Sequence, residues 1–156
     1  MGNETTVYLS REKLDELAKE LEYLKKEKRK EIAQSLEFAK SLGDLSENAE
    51  YIQAREDQAK TEERISQLEE TLKNAVVVKK HHSSTIEVVT TIVVEKAGSG
   101  SKLKYQIVGS EEADMKEGKI SNRSPLGIAL FGKKKGDKVS LKTPGGVCEY
   151  TIIDIE

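Results

Sequence analysis

Gly43-Asp44-Leu45-Ser46-Glu47-Asn48-Ala49-Glu50-Tyr51 separates two stretches that hold neither glycine nor proline, Arg11 to Leu42 and Glu47 to Asn74. Both stretches read as helix. A lone glycine between such runs is a stop signal, because glycine takes the left-handed conformation past a helix C-terminus at little steric cost. Asp44 suits the N-cap of the returning helix, and Glu47 follows at capping-box spacing. The expectation is an αα-hairpin with two carboxylates at its tip. A helix cap alone explains this spacing. The setting favours a second use, since two acids at the end of a long rod are badly placed to build a core and well placed to enter something.

The hairpin needs a seam, and the outward stretch has one. Ser10 is placed to cap the first helix. Leu14, Leu17, Leu21 and Leu24 recur at spacings of three and four; the seam weakens through Lys25-Lys26-Glu27-Lys28-Arg29-Lys30 and resumes at Ile32, Leu36, Ala39 and Leu42. On the return, Ala49, Ile52 and Ala59 lead into Ile65, Leu68, Leu72 and Ala75. Leucines fill the base while alanines and charges fill the tip, so the tip should be thinner. About 30 residues at about 1.5 Å each give a rod of about 45 Å. The basic run from Lys25 to Lys30 reads as a solvated face. Lys40 lies about one turn before the tip and Arg55 about two turns after Glu47, where both could flank the acids or pair with Glu37, Glu56 or Asp57.

Past Ala75 the pattern changes. Nine of the 11 glycines and both prolines lie at or beyond position 98. Val76 to Val78, Ile86 to Val94, Leu103 to Val108, Val139 to Thr143 and Val147 to Ile155 are β-branched runs bounded by turn residues. Pro144-Gly145-Gly146 reads as a hairpin turn. Ser124-Pro125 starts a helix, serine as N-cap and proline at N1, and Gly132 stops it. An antiparallel sheet with one short helix follows. Residues 1–75 carry 18 acids and 13 bases, residues 76–156 carry 10 and 13. Composition and charge thus divide the chain into two domains, 1–77 and 78–156, with the junction near Asn74 to Ser84.

Other chemistry is sparse. A net charge of −2 gives no general affinity for nucleic acid, and 35% charged residues with no Trp suit long solvated helices better than one large core. The single Cys148 excludes an intrachain disulfide framework and falls at a core-facing strand position. His81-His82 lacks further ligands at metal spacing and reads as a polar linker. Neither a phosphate-binding glycine loop nor a Ser/His/Asp set is present. Met1 to Ser10 is polar, without the apolar core of a signal peptide, and no stretch has transmembrane length; a cytoplasmic protein is expected.

The nine residues from Gly43 to Tyr51 resemble the tip motif of the bacterial Gre family of transcript cleavage (elongation) factors, closest to its GreA members. The resemblance continues through Ile107-Val108-Gly109, Glu112-Ala113-Asp114, Ile120-Ser121, Ser124-Pro125-Leu126-Gly127, Ala129-Leu130, Gly132-Lys133, Gly136-Asp137 and Lys142-Thr143-Pro144-Gly145-Gly146. It covers almost the whole chain and departs between His81 and Lys102, where Val88-Val89-Thr90-Thr91 stands in place of the family's usual glycine before the first long strand. The fold it implies is α+β, an N-terminal antiparallel coiled-coil hairpin with a C-terminal FKBP-like sheet domain.

The function implied is insertion of the acidic tip into the RNA polymerase secondary channel, stimulating Mg²⁺-dependent cleavage of the nascent RNA 3′ end in backtracked complexes. Asp44 and Glu47 would act on metal and water at the polymerase active centre; two carboxylates alone hold Mg²⁺ weakly, so polymerase would supply the other ligands. Lys40 and Arg55 would hold RNA, and Asn48 and Tyr51 would shape the tip or touch RNA. Asn122, Arg123, Ser124 and Pro125 would dock the globular domain on the channel rim. The chain would be an accessory monomer and not itself an enzyme. A channel-blocking inhibitor on the same scaffold is the alternative, though it need not keep both acids. A prolyl isomerase is suggested by fold alone, and Tyr105, Phe131 and Tyr150 are too few aromatics for its pocket.

Overall fold

The computed structural model describes residues 6–79 and 82–156. These form two compact units, Leu14–Asn74 and a second that joins residues 6–13 to those from Ala75 to Glu156. The expected division at 77/78 differs at its edges. Strand β1 (Val7–Leu9) pairs in parallel with β2 (Ala75–Val77), and the Val78 N–H donates to Leu9 O at 2.9 Å. The ends of the helical stretch are therefore strands of the second unit, and residues 75–78 are not a loose linker. His82 is exposed, while His81 lies outside the described residues.

The outward arm starts with α1 (Arg11–Tyr23), capped by Ser10, whose hydroxyl accepts from Lys13 N–H at 3.2 Å. It passes through a π-helical segment, Leu24–Lys28, into α2 (Arg29–Ser41); the return arm is α3 (Ala49–Lys73). The π segment has a sequence cause. Leu17, Leu21 and Leu24 keep heptad spacing, but the next buried seam residue, Ile32, comes eight residues after Leu24 rather than seven. One wider turn, closed by Arg29 N–H on Leu24 O, absorbs the extra residue and returns Ile32 and Ala39 to the seam.

Opposite them the buried positions are Ala54, Thr61, Ile65 and Leu68. The expected tip-side seam of Ala49, Ile52 and Ala59 is displaced: all three are exposed, Ile52 at 48%. Ala54, Thr61 and Leu68 lie seven apart, so the heptad drawn back from the base reaches Ala54 and misses Ile52. Charge pairs brace the base and middle. Arg64 grips Glu20 through two bonds of 2.7 and 3.0 Å, Arg29 grips Glu62 at 2.7 and 2.6 Å, and Lys25 pairs with Glu69. Solvent screens these exposed pairs, so each contributes little. The basic run is thus largely spent inside the rod, as a solvated, ion-paired face.

In the second unit a five-stranded sheet has the order β5-β4-β3-β7-β6, built from β3 (Thr91–Lys96), β4 (Lys102–Val108), β5 (Lys119–Ser121), β6 (Lys138–Thr143) and β7 (Gly146–Ile155). Helix α4 (Pro125–Leu130) covers one face. The core is Ile86, Ile92, Val94, Ile107, Ile120, Leu130, Val139 and Ile152. The architecture is the expected hairpin plus sheet, α+β, with one difference. Edge strand β5 runs parallel to β4, so the sheet is mixed.

The run Ile86 to Val94 is not one strand. A turn closed by Thr90 N–H on Glu87 O (3.2 Å) interrupts it, Val89 takes φ 71°, and β3 begins only at Thr91. Val89 thus adopts the conformation for which glycine is the ordinary choice. Cys148 is half-buried on β7 and lies outside the core cluster.

Candidate functional site

Helix α2 ends at Ser41, and Gly43 turns the chain with φ 115°. Asp44 is not the N-cap of α3. Its Oδ1 accepts instead from the N–H (3.1 Å) and hydroxyl (2.9 Å) of Ser46, two residues on. These bonds, the backbone one first, hold its carboxyl below the usual carboxylate range. The cap is Asn48, whose Oδ1 accepts from Tyr51 N–H at 3.0 Å while its Nδ2 donates to Ala39 O at 2.6 Å. The physical reason is valence. Asn48 satisfies a free donor of α3 and at once gives a second bond to the Ala39 carbonyl of α2, which also accepts from Leu42 N–H at 3.1 Å, whereas a carboxylate can only accept. Glu47, freed from a capping box, is exposed and pairs with no cation among the described residues.

Both acids therefore sit on one exposed loop with their charge unspent. Among the described residues no three His, Cys, Asp or Glu side chains converge as a metal site. Lys40 is exposed and makes no ion pair with Glu37, and Arg55 donates to Gln58 Oε1 at 2.8 Å rather than to Glu56 or Asp57. The competing ion-pair readings thus find no support in the structure, and both cations remain available beside the tip. Tyr51 is half-buried and lines a shallow recess with Leu45, Ser46, Ile52, Arg55, Glu56 and Ala59. Asn48 is only 9% exposed. Sequence reasoning missed the apolar exposure near the tip: Phe38, Leu42 and Leu45 are 61%, 53% and 41% exposed. The break in the return seam at Ile52 was the signal that could have found it.

On the globular unit, Ser124 caps α4 by accepting from Gly127 N–H at 3.0 Å, and its hydroxyl donates to Ser121 O at 2.8 Å. Arg123 donates to Thr6 O at 2.9 Å, and Asn122 N–H to Val108 O at 2.8 Å. The loop 122–125 is therefore rigidly held. Pro125 is exposed, and Ile128 and Phe131 extend this surface at 64% and 47% exposure. Gly127 is buried because no side chain fits: a Cβ there would lie 2.0 Å from Ser121 O.

The chain thus combines a helical hairpin that ends in two exposed acids with a sheet unit that carries a capped loop. Residues 80–156 match the family described as Transcription elongation factor, GreA/GreB, C-term, and residues 7–77 the one described as Transcription elongation factor, N-terminal. The chain is 41% identical over 158 residues to Transcription elongation factor GreA of Bacillus cereus strain ATCC 14579, covering 100% of both chains. It is 43% identical over 121 residues to the GreA of Pseudomonas putida KT2440, covering 76% of each. Among solved structures it is similar to GreA factor homolog 1 of Thermus thermophilus, with 29% identity, a TM-score of 0.43 and 97% and 99% coverage. It is also similar to the GreA/GreB factor of Nitrosomonas europaea, with 20% identity, a TM-score of 0.43 and 96% and 97% coverage. The chain belongs to the GreA/GreB family of transcription elongation factors.

Proposed function

We propose that the chain enters the secondary channel of bacterial RNA polymerase tip first and stimulates cleavage of the RNA 3′ end in backtracked complexes. The observation that carries this reading is the state of the two acids. Asp44 is oriented by Ser46 rather than used as a cap, and Glu47 is exposed and unpaired, so both are free to act on something outside the chain. Hard carboxylate oxygens fit Mg²⁺, and two of them fill only part of an octahedral sphere, so the remaining ligands belong to polymerase. Held there by Asp44 and Glu47 together with polymerase, magnesium would supply Lewis acidity toward water and the phosphodiester.

The chain's own contribution is positional. Ser46 fixes the direction of the Asp44 carboxylate, the unspent charges of Lys40 and Arg55 attract RNA phosphate, and the face formed by Asn122 to Pro125 docks the globular unit on the channel rim. The reaction centre is then polymerase's, and the factor is an accessory acting as a monomer in the cytoplasm. No helix among the described residues is long and apolar enough to cross a membrane.

The test uses Asp44→Asn and Glu47→Gln with a stalled, backtracked elongation complex across a magnesium titration. Cleavage should collapse at low magnesium and recover in part as magnesium rises, with polymerase binding close to wild type. Full activity of both variants at low magnesium overturns the metal role. A chain that binds polymerase and slows it without cutting RNA is acting as a channel-blocking inhibitor instead.

A further inference from the structure

We propose that Asn48 is a positioning residue for the tip acids, its carboxamide clasping the end of the outward helix to the start of the return helix so that the loop bearing Asp44 and Glu47 is closed. This rests on the cleavage function proposed above.

Three observations carry it. The first is burial: Asn48 is 9% exposed in a loop whose neighbours on both sides are exposed. The second is that its two polar atoms face opposite arms. Nδ2 donates to Ala39 O at 2.6 Å, and Oδ1 accepts from Tyr51 N–H at 3.0 Å. The partners themselves orient the amide, since a carbonyl needs the NH₂ end and an N–H needs the oxygen. The third is connectivity. The Ala39 bond spans nine residues and encloses both acids. Glu47 directly precedes Asn48 and has no partner of its own, so its direction follows from the backbone that Asn48 anchors.

A contact between Asn48 and RNA fits these observations poorly, because both ends of the amide are already engaged and little of it reaches the surface. The chemistry also separates capping from clasping. Aspartate and serine are as good at an N-cap as asparagine, and aspartate's charge suits a helix N-terminus. Neither can do both jobs. A carboxylate has no donor for Ala39 O, and a serine hydroxyl next to the backbone is too short to cross to the other arm.

The experiment compares wild type with Asn48→Asp and Asn48→Ser on a backtracked complex. It reads the maximal cleavage rate at saturating factor, the factor concentration giving half that rate, and helicity by circular dichroism at the assay temperature. Both variants should stay helical, because the cap survives. Both should lose about ten- to a hundredfold in maximal rate, the scale set by misplacing a reacting group by about 1 Å, while half-saturation moves less than about twofold. A loss of affinity with the maximal rate intact, or Asn48→Ser at the wild-type rate, overturns the clasp; so does a loss confined to Asn48→Asp, which marks charge repulsion. A wild type that stimulates no cleavage overturns the function and the clasp together. A wild type that cleaves beside variants that cleave equally well overturns the clasp alone.

Discussion

Replacing Gly127 by alanine tests whether the candidate docking loop is held by contact between backbones. The added Cβ would meet Ser121 O at 2.0 Å, Ser121 C at 2.9 Å and Asn122 Cα at 3.1 Å. Ordinary contacts between such atoms begin near 3.4 Å, so the oxygen overlap alone is about 1.4 Å. None of the three atoms is on a side chain, so no rotamer change relieves them. Either α4 or the 121–122 segment must move by about an ångström. That movement strains the Gly127 N–H bond to Ser124 Oγ (3.0 Å) and the Ser124 hydroxyl bond to Ser121 O (2.8 Å). Overpacking costs about 1–3 kcal/mol and a lost cap about 1 kcal/mol. A total of about 3 kcal/mol would lower the melting temperature of a domain this size by about 12–24 °C.

Near-ultraviolet circular dichroism can follow the transition, since Tyr105 and Tyr150 pack against the core. Gly145→Ala is the control. Its Cβ would meet nothing closer than Thr143 Oγ1 at 3.9 Å, so it should melt within a few degrees of wild type. Half-saturating factor concentration in the cleavage assay should rise for Gly127→Ala and stay put for the control. Equal melting temperatures for the two variants would refute the close-packing argument.

Further expectations follow from the tip, the strained turn and the rod. Asp44's carboxyl is held low by its bonds from Ser46, so its contribution to loop stability is complete above the ordinary carboxylate value and is lost only as pH falls through its depressed one. An NMR titration should place its midpoint below that of a peptide aspartate, and Ser46→Ala should raise it; an unmoved midpoint would contradict the assigned cause. Val89→Gly exchanges about 1–2 kcal/mol of left-handed strain for lost burial and chain entropy, and should be neutral within about 1 kcal/mol. Val88→Gly, at a buried position of ordinary backbone, should cost about 3 kcal/mol or more, and equal losses in denaturant melts would remove the strain argument. Deleting Lys26 should let the π segment close as α-helix and leave the hairpin at least as stable, whereas deleting Gln34 should throw Ala39 off the seam; thermal melts of the two deletions decide it.

Much of this arrangement is legible in local sequence because its causes are local. Ser124-Pro125 starts α4 where serine and proline say it should, and Gly43 breaks the rod with the backbone angle glycine permits. The two-residue turn Pro144-Gly145 closes β6 on β7 as its composition implies. What is not legible depends on partners distant in the chain. Asp44 and Asn48 are both good caps, and only the Ala39 carbonyl, nine residues before Asn48, decides between them. Strand β5 is three residues long, too short for its alternation to stand out, and its parallel pairing with β4 has no local signature. The extra residue in the Leu24–Ile32 interval can be counted in the sequence, yet only the packed return helix makes the chain absorb it as a π turn.

The small residues at the far end of the hairpin set its calibre. Ala39 is fully buried and Ala54 nearly so, where the base has Leu17, Ile65 and Leu68. Helix axes approach to about 8 Å over small side chains and stand off toward about 10 Å over large ones. The rod should therefore taper toward the acids, gaining clearance where it gives up buried surface. Substituting leucine for Ala39 would add core contacts yet widen the shaft, making a sturdier protein that fits a narrow aperture less well. Under the proposed entry into polymerase, such a gradient trades stability for passage.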